Sequence, residues 1–285
     1  MSQKIKKKII LGSAQFGFGY GITNKSRISK INIHKIMKLI KNTNIKFIDT
    51  AQAYGSSEKI LGNYKSDNLK IVTKIKIERG FDLIKKVKLS LKRLKVNKIY
   101  ALIIHNPNFL NSKNLVNLKK QIDILKQNKI IQKFGISVYN INEFTRLKNK
   151  LKIDILQIPL SIFDRRFLKN NFLDNIKKKK IEIHARSVFL QGILLLNQEE
   201  VPKKFSKWKK IWLKWDKLTN RDKLEKMNAC LSFILNLKQI DKLIIGVNSF
   251  EQLKEIIYKF QYKKKYSKIS SFTKDINLIN PTLWS

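Results

Sequence analysis

Eight apolar runs rich in β-branched residues alternate with helical patterns along the chain, which predicts an α/β fold, a single (β/α)8 TIM barrel. Two further observations support that class. At 285 residues the chain has the length of one such barrel, with no Pro/Gly/Ser-rich linker, so 1–285 is expected to form one domain. Asp49, Lys74 and His105 each stand at or just past the end of a run, with Tyr54 soon after the second, and strand ends are where this architecture keeps its active site.

The first run, 9–11, ends at Gly12, and the helical pattern Lys30–Lys41 follows it. The runs 47–48 and 70–73 flank a short helical pattern at 57–62. A longer pattern, 81–94, leads to the fourth run, 100–104. Ser112–Gln127 then crosses to 132–136, 141–149 to 155–158, and 166–177 to 181–185. Parallel strands need such crossovers, because antiparallel hairpin turns cannot join them. The segment 197–219 lacks one clear period and carries Trp208, Trp212 and Trp215. It reads as a Trp-rich helical insertion before the seventh crossover helix, 221–237. The helical spacing of the three tryptophans favours a packed face over a substrate platform. The eighth run is 242–245. Ser249 and Gln252 then have capping-box spacing at the start of the last helix, 251–260.

Bulk properties exclude several function classes. The chain starts with a basic stretch, but the apolar residues after it break at Gly12, too soon for a signal segment or a membrane span, so a cytoplasmic protein with no membrane partner is expected. Cys230 is the single cysteine, which rules out intrachain disulfides. His34, His105 and His184 are not at ligand spacing, so no metal is expected. The net charge of +41 is almost entirely lysine, beside an equal excess of Ile and Asn. Codon bias accounts for that mixture, and without a recognition motif no nucleic-acid partner is expected. Lysine runs at 177–180 and 263–265 fall at predicted helix ends, where cations complement the dipole.

The strand-end residues suit one chemistry. A carbonyl that accepts hydride needs a proton on its oxygen, and a tyrosine can donate it if neighbours tune its acidity. A buried lysine ammonium favours the phenolate, a carboxylate keeps that lysine charged, and a histidine orients the carbonyl. Tyr54, Lys74, Asp49 and His105 fit these four catalytic roles.

The string Phe47-Ile48-Asp49-Thr50-Ala51-Gln52-Ala53-Tyr54-Gly55-Ser56-Ser57-Glu58-Lys59-Ile60-Leu61-Gly62 closely resembles the signature of the aldo-keto reductase family. Thr73-Lys74, Ile104-His105-Asn106-Pro107, the opening residues 11–17, Gly135-Ile136-Ser137, Leu156-Gln157, Ser187 with Gly192, and Ile245-Gly246 through Gln252-Leu253 continue it in order. The resemblance implies an NAD(P)-dependent oxidoreductase that reduces an aldehyde or ketone, with a sugar-like or anionic carbonyl compound open as its substrate. The nicotinamide dinucleotide would lie across the barrel mouth without a Rossmann motif, since no helix is expected to open on Gly12, Gly17, Gly19 and Gly21 as a phosphate loop requires.

The resemblance places the dinucleotide against Gly12, Ser13, Ala14, Asp49, Ser137, Gln157, Arg186, Ser187, Gly192, Gly246, Asn248, Ser249 and Gln252. Phe16, Tyr54, His105 and Arg165 are the expected substrate contacts, and Phe16, Phe18, Tyr20, Phe109 and the Trp-rich insertion are candidates for the pocket walls. Three positions depart from the family pattern: Val138 replaces an asparagine, Arg186 replaces the aromatic that stacks on the nicotinamide, and Asn248 replaces the cation for the 2′-phosphate. NADP is the cofactor that the resemblance implies, and the neutral Asn248 leaves NAD open beside it. Arg165 and Arg166 suit an anionic group or, equally, an ion pair with Asp164 that braces the loop. Rival readings are a sugar epimerase or dehydrogenase using bound cofactor, and a non-catalytic dinucleotide-binding or redox-sensing barrel. The chain is expected to work as a monomer or small homo-oligomer.

Overall fold

The computed structural model describes residues 3–22, 26–64, 69–110 and 112–284; Met1 and Ser2 of the basic start lie outside them. Eight parallel strands close into a barrel in sequence order: β1 Ile9–Gly12, β2 Phe47–Asp49, β3 Lys70–Ile75, β4 Ile99–Ile104, β5 Ile131–Ser137, β6 Ile155–Pro159, β7 Glu182–Arg186 and β8 Lys242–Gly246. Each expected run lies within or beside one of these strands. Closure comes from β1 pairing with β8, Gly12 opposite Gly246, while Gly12 also pairs with Asp49 of β2. This register sets the ends of strands 1, 2 and 8 side by side at one rim.

The crossover helices bury one apolar stripe against the barrel. Lys30–Lys41 inserts Ile33, Ile36, Met37 and Ile40, and its N-cap Ser29 accepts a hydrogen bond from the Asn32 backbone. Asp82 caps Leu83–Leu94 in the same way, so that helix starts two residues later than its apolar pattern. The pattern 166–177 divides into a 3-10 turn, Arg166–Asn171, and the helix Phe172–Lys178, because Asn170 adopts a left-handed conformation (φ 53°). The last crossover is helical over Phe250–Lys254 and continues as a π-helical turn, Glu255–Lys259. Ser249 accepts from the Gln252 backbone, and the Gln252 side chain accepts from the Asn248 backbone. A one-turn helix, Ala14–Gly17, opens after β1, contrary to the expectation from the glycine spacing. It stops at extended Phe18.

The tryptophan segment packs as the structural reading expects. Trp212 stacks on Phe163 at 5.6 Å, Phe272 stacks on the same ring at 4.6 Å, and Trp215 meets both edge-on. The indole nitrogens of Trp212 and Trp215 donate to the carbonyls of Phe205 and Leu194. Beside them lies Lys226, fully buried on the helix Lys223–Leu235. Its ammonium donates to Asp216 Oδ1 (2.5 Å), Asn197 Oδ1 (2.6 Å) and the Leu196 carbonyl (2.8 Å). A buried ion pair broken on one side leaves an uncompensated charge. Lys226→Met is therefore expected to lower stability by about 3–5 kcal/mol, measured as the shift in the urea midpoint. The buried pair of Asp216→Asn with Lys226→Met should recover part of the loss.

The lysines at 263–265 are not solely helix-end charges: Lys263 and Lys265 reach across to Glu225. No helix among the described residues is long and apolar enough to cross a membrane.

Candidate active site

The C-terminal rim of the barrel surrounds a cavity of about 650 Å³. Asp49 ends β2, Lys74 is the penultimate residue of β3, and His105 follows β4 immediately. Tyr54 comes from the loop after β2. Two glycines hold that loop against the turn after β1: a methyl group on Gly17 would collide with the Tyr54 carbonyl, and Gly55 has φ +55° with Gly17 O 2.9 Å from where its Cβ would lie. Close backbone contact thus sets the height of Tyr54 over the barrel.

Asp49 and Lys74 form a buried ion pair, 2% and 1% exposed. Lys74 Nζ also donates to the Thr50 carbonyl (2.9 Å), and Gln157 Nε2 donates to the second Asp49 oxygen (2.9 Å). The ammonium lies 4.8 Å from the centre of the Tyr54 ring, which also meets His105 edge-to-face at 5.7 Å and Phe18 at 6.1 Å. The four residues chosen from sequence therefore meet in one cluster. Tyr54, Asp49 and His105 line the cavity, and Lys74 supports them from behind.

The acidities depart from the simplest sequence expectation. Burial, reinforced by the Asp49 carboxylate, pushes the Tyr54 phenol well above its ordinary value, with Arg186 opposing. The Lys74 ammonium, paired with Asp49, does not offset these effects on the resting phenol. Burial also lowers Lys74, with Asp49 opposing. His105 is pushed down to about 3, by burial first and then by the Lys74, Arg186 and Lys76 charges. Its imidazole is neutral at physiological pH, with Nδ1 buried and without a protein partner. The folded value is below the unfolded one, so the unfolded chain binds more protons as pH falls from about 6.5, and His105 makes stability decline on that side. The expected NMR result is a His105 ring that does not titrate between about pH 5 and 8.

Gly12, Ala14, Asp49, Gln157, Arg186, Ser187, Gly192, Gly246, Asn248 and Gln252, all assigned to the dinucleotide from sequence, line this cavity. Three others stand back from it. Ser13 is buried and donates to the Asp49 carbonyl, Ser137 accepts from Arg186 Nε (3.3 Å), and Ser249 caps its helix. Val138 is fully buried, its carbonyl accepting from Arg186 Nη2 (3.2 Å). Ser187 (φ 59°), Leu190 (φ 47°) and Gln191 (φ 56°) put left-handed backbone at the rim after β7, a form of strain that concentrates at functional loops.

Two substrate expectations are corrected. Phe16 is fully buried in the hydrophobic core, because the one-turn helix directs it inward, whereas its fellow candidates Phe18 and Tyr20 line the cavity. Arg165 turns away, donating to the carbonyls of Ile162 (2.9 Å), Ile269 (2.7 Å) and Ser270 (3.4 Å) and packing on the Phe233 ring. Arg166 pairs with Asp164, as the bracing reading has it. Neither Phe109 nor the tryptophans are among the lining residues.

Lys76, Tyr139 and Lys223 also line the cavity and were missed. Lys76 and Tyr139 stand two residues beyond Lys74 and Ser137. The two-residue period of strand side chains was the signal available for them. Among the described residues no group of three His, Cys, Asp or Glu side chains could hold a metal ion.

Solved structures share this barrel fold. The holo form of an aldo-keto reductase from Bacillus halodurans superposes with TM-score 0.70 at 19% identity, covering 93% of this chain and 88% of its own. A glycerol dehydrogenase from Gluconobacter oxydans gives 0.70 at 20%, covering 92% and 89%. A thermostable aldo-keto reductase in complex with the inhibitor epalrestat gives 0.66 at 19%, covering 92% and 93%. At such identities the likeness is one of fold. No curated protein matches the sequence significantly. The sequence profile of the Aldo/keto reductase family, however, matches residues 8–274, and the chain accordingly belongs to that family of NAD(P)H-dependent oxidoreductases.

Proposed function

We propose that the protein reduces an aldehyde or ketone, with Tyr54 donating the proton to the carbonyl oxygen. The observation that carries this reading is the convergence of Tyr54 and His105 on one cavity with the Asp49–Lys74 pair behind them. The raised Tyr54 phenol keeps its proton until negative charge develops on the carbonyl oxygen. The ammonium beside its ring then steadies the phenolate left behind. Neutral His105 offers an N–H to the same oxygen, holding the carbonyl in line without a competing positive charge.

The residues present fit a nicotinamide dinucleotide. Gln157 Oε1, Gln15 Oε1 and Asn248 Oδ1 are buried acceptors with no partner among the described residues, matched to carboxamide and ribose hydroxyl donors. A smaller recess next to Gly246 combines Phe189, Leu224 and Ile256 with Lys223, Lys259 and Glu255, apolar surface beside charge, which suits an adenosine moiety. When bound, the dinucleotide supplies the hydride. Asn248 is neutral where a cation is expected and Lys259 is paired with Glu255, so Lys223 is the cation of the recess that keeps NADP the leading choice, with NAD to be titrated beside it. A cytoplasmic setting goes with this reading, in which Cys230 stays buried and reduced.

The test is to titrate NADPH and NADH by fluorescence and screen carbonyls with the tighter one. Stoichiometric conversion of carbonyl to alcohol supports the proposal. Isomerisation of a sugar without net cofactor use, or tight binding with no turnover across the panel, would overturn it.

A further inference from the structure

Arg186 ends β7, is half-buried and lines the cavity. Its Nε and Nη2 are fixed by Ser137 Oγ and the Val138 carbonyl, and its guanidinium carbon sits 4.1 Å from the centre of the Tyr139 ring. Arg93, Arg166 and Arg221 have carboxylate partners and Arg146 and Arg165 are held by backbone carbonyls outside the cavity; Arg186, which lines it, has no carboxylate partner among the described residues. Lys76, the first residue past β3, lines the same cavity and likewise has no acidic partner among them.

The acids of the cavity are already engaged. Asp49 belongs to Lys74 and Gln157, and Glu200 accepts from the Asn197 backbone. Arg186 shares the cavity with Tyr54 and His105, and its charge reaches Tyr20, Tyr54, Lys74 and His105. A guanidinium held in a cleft costs desolvation that neither Ser137 nor a carbonyl repays as a carboxylate would. Its planar fork matches the two oxygens of a carboxylate or phosphate.

We propose that Arg186 and Lys76 form an anion-recognition site at the catalytic mouth, so that the preferred carbonyl substrate carries a carboxylate or phosphate. This rests on the reductase reading for turnover, while the anion site itself can be tested without it. Neutral carbonyl compounds gain nothing from either cation.

Two matched pairs test it: succinic semialdehyde against butanal, and glyceraldehyde 3-phosphate against glyceraldehyde. Wild type should favour the charged member of at least one pair by about tenfold or more in kcat/KM, as one hydrogen bond to a charged group allows. The pair affected distinguishes carboxylate from phosphate. Arg186→Gln should narrow that ratio through KM, Arg186→Lys should keep part of it, and Lys76→Gln, changed at an exposed side chain, should narrow it to a lesser degree. Dinucleotide affinity is measured for each variant, and calorimetry follows succinate and inorganic phosphate binding without any carbonyl.

Equal ratios in wild type and Arg186→Gln would overturn the proposal. So would a loss confined to dinucleotide affinity, which would assign Arg186 to the cofactor. Should Arg186→Gln fail to fold, Lys76→Gln decides by the same ratio. If no carbonyl turns over, the reductase reading fails and calorimetry alone judges the anion site: weaker binding in the variants supports it, and unchanged or undetectable binding overturns it.

Discussion

Tyr54→Phe is expected to lower kcat by about 10²–10⁴-fold, the usual contribution of a positioned general acid, while dinucleotide affinity stays close to wild type. The substitution removes one hydroxyl and leaves the ring between Lys74 and His105, so the loop held by Gly17 and Gly55 keeps its place. Single-turnover oxidation of the reduced dinucleotide separates the chemical step from binding and release. A rate within threefold of wild type, on the order of 0.6 kcal/mol, would remove Tyr54 from the proton transfer. Because burial and Asp49 hold the phenol above its ordinary value, the residue enters the reaction protonated across the neutral range. No loss of reductive rate through phenol ionisation is expected between about pH 6 and 9.

Lys74→Met should damage folding and catalysis together. It strips Asp49 of its ammonium and leaves a carboxylate buried with only the Gln157 amide, a loss of about 3–5 kcal/mol for a pair broken on one side. Asp49→Asn alone should cost less, because burial already favours neutral Lys74 and the Thr50 carbonyl still accepts from it. The double variant Asp49→Asn/Lys74→Met removes both charges, and part of the stability should return. Its rate should not, since the charge that steadies the phenolate is still missing. Chemical denaturation and single-turnover rates on the four proteins form the double-mutant cycle. Recovery of rate together with stability would make the pair a structural element only.

Legibility differed with the range of the interactions. The strands could be read because a β-branched apolar run is a local property, and eight of them in alternation leave few topologies open. Tyr54, Lys74, Asp49 and His105 were legible because strand ends in such a barrel converge, so position along the chain stood in for position in space. Where direction rather than position mattered, the reading failed: Phe16 and Phe18 are two residues apart, and a single helical turn after β1 buries one and delivers the other to the cavity.

Arg165 failed for a different reason, its partners being the carbonyls of Ile269 and Ser270 more than a hundred residues away. The acidity of Tyr54 was likewise beyond the sequence, which can place an ammonium near a phenol but cannot weigh it against burial and the carboxylate that shares it. What the amino-acid order determined by itself was the alternation, the count of strands and the identity of the residues at the rim. Only the tertiary structure decided which of them face the cavity, which are paired, and the sign of each acidity shift, because those depend on solvent exclusion and on charges brought together from distant parts of the chain.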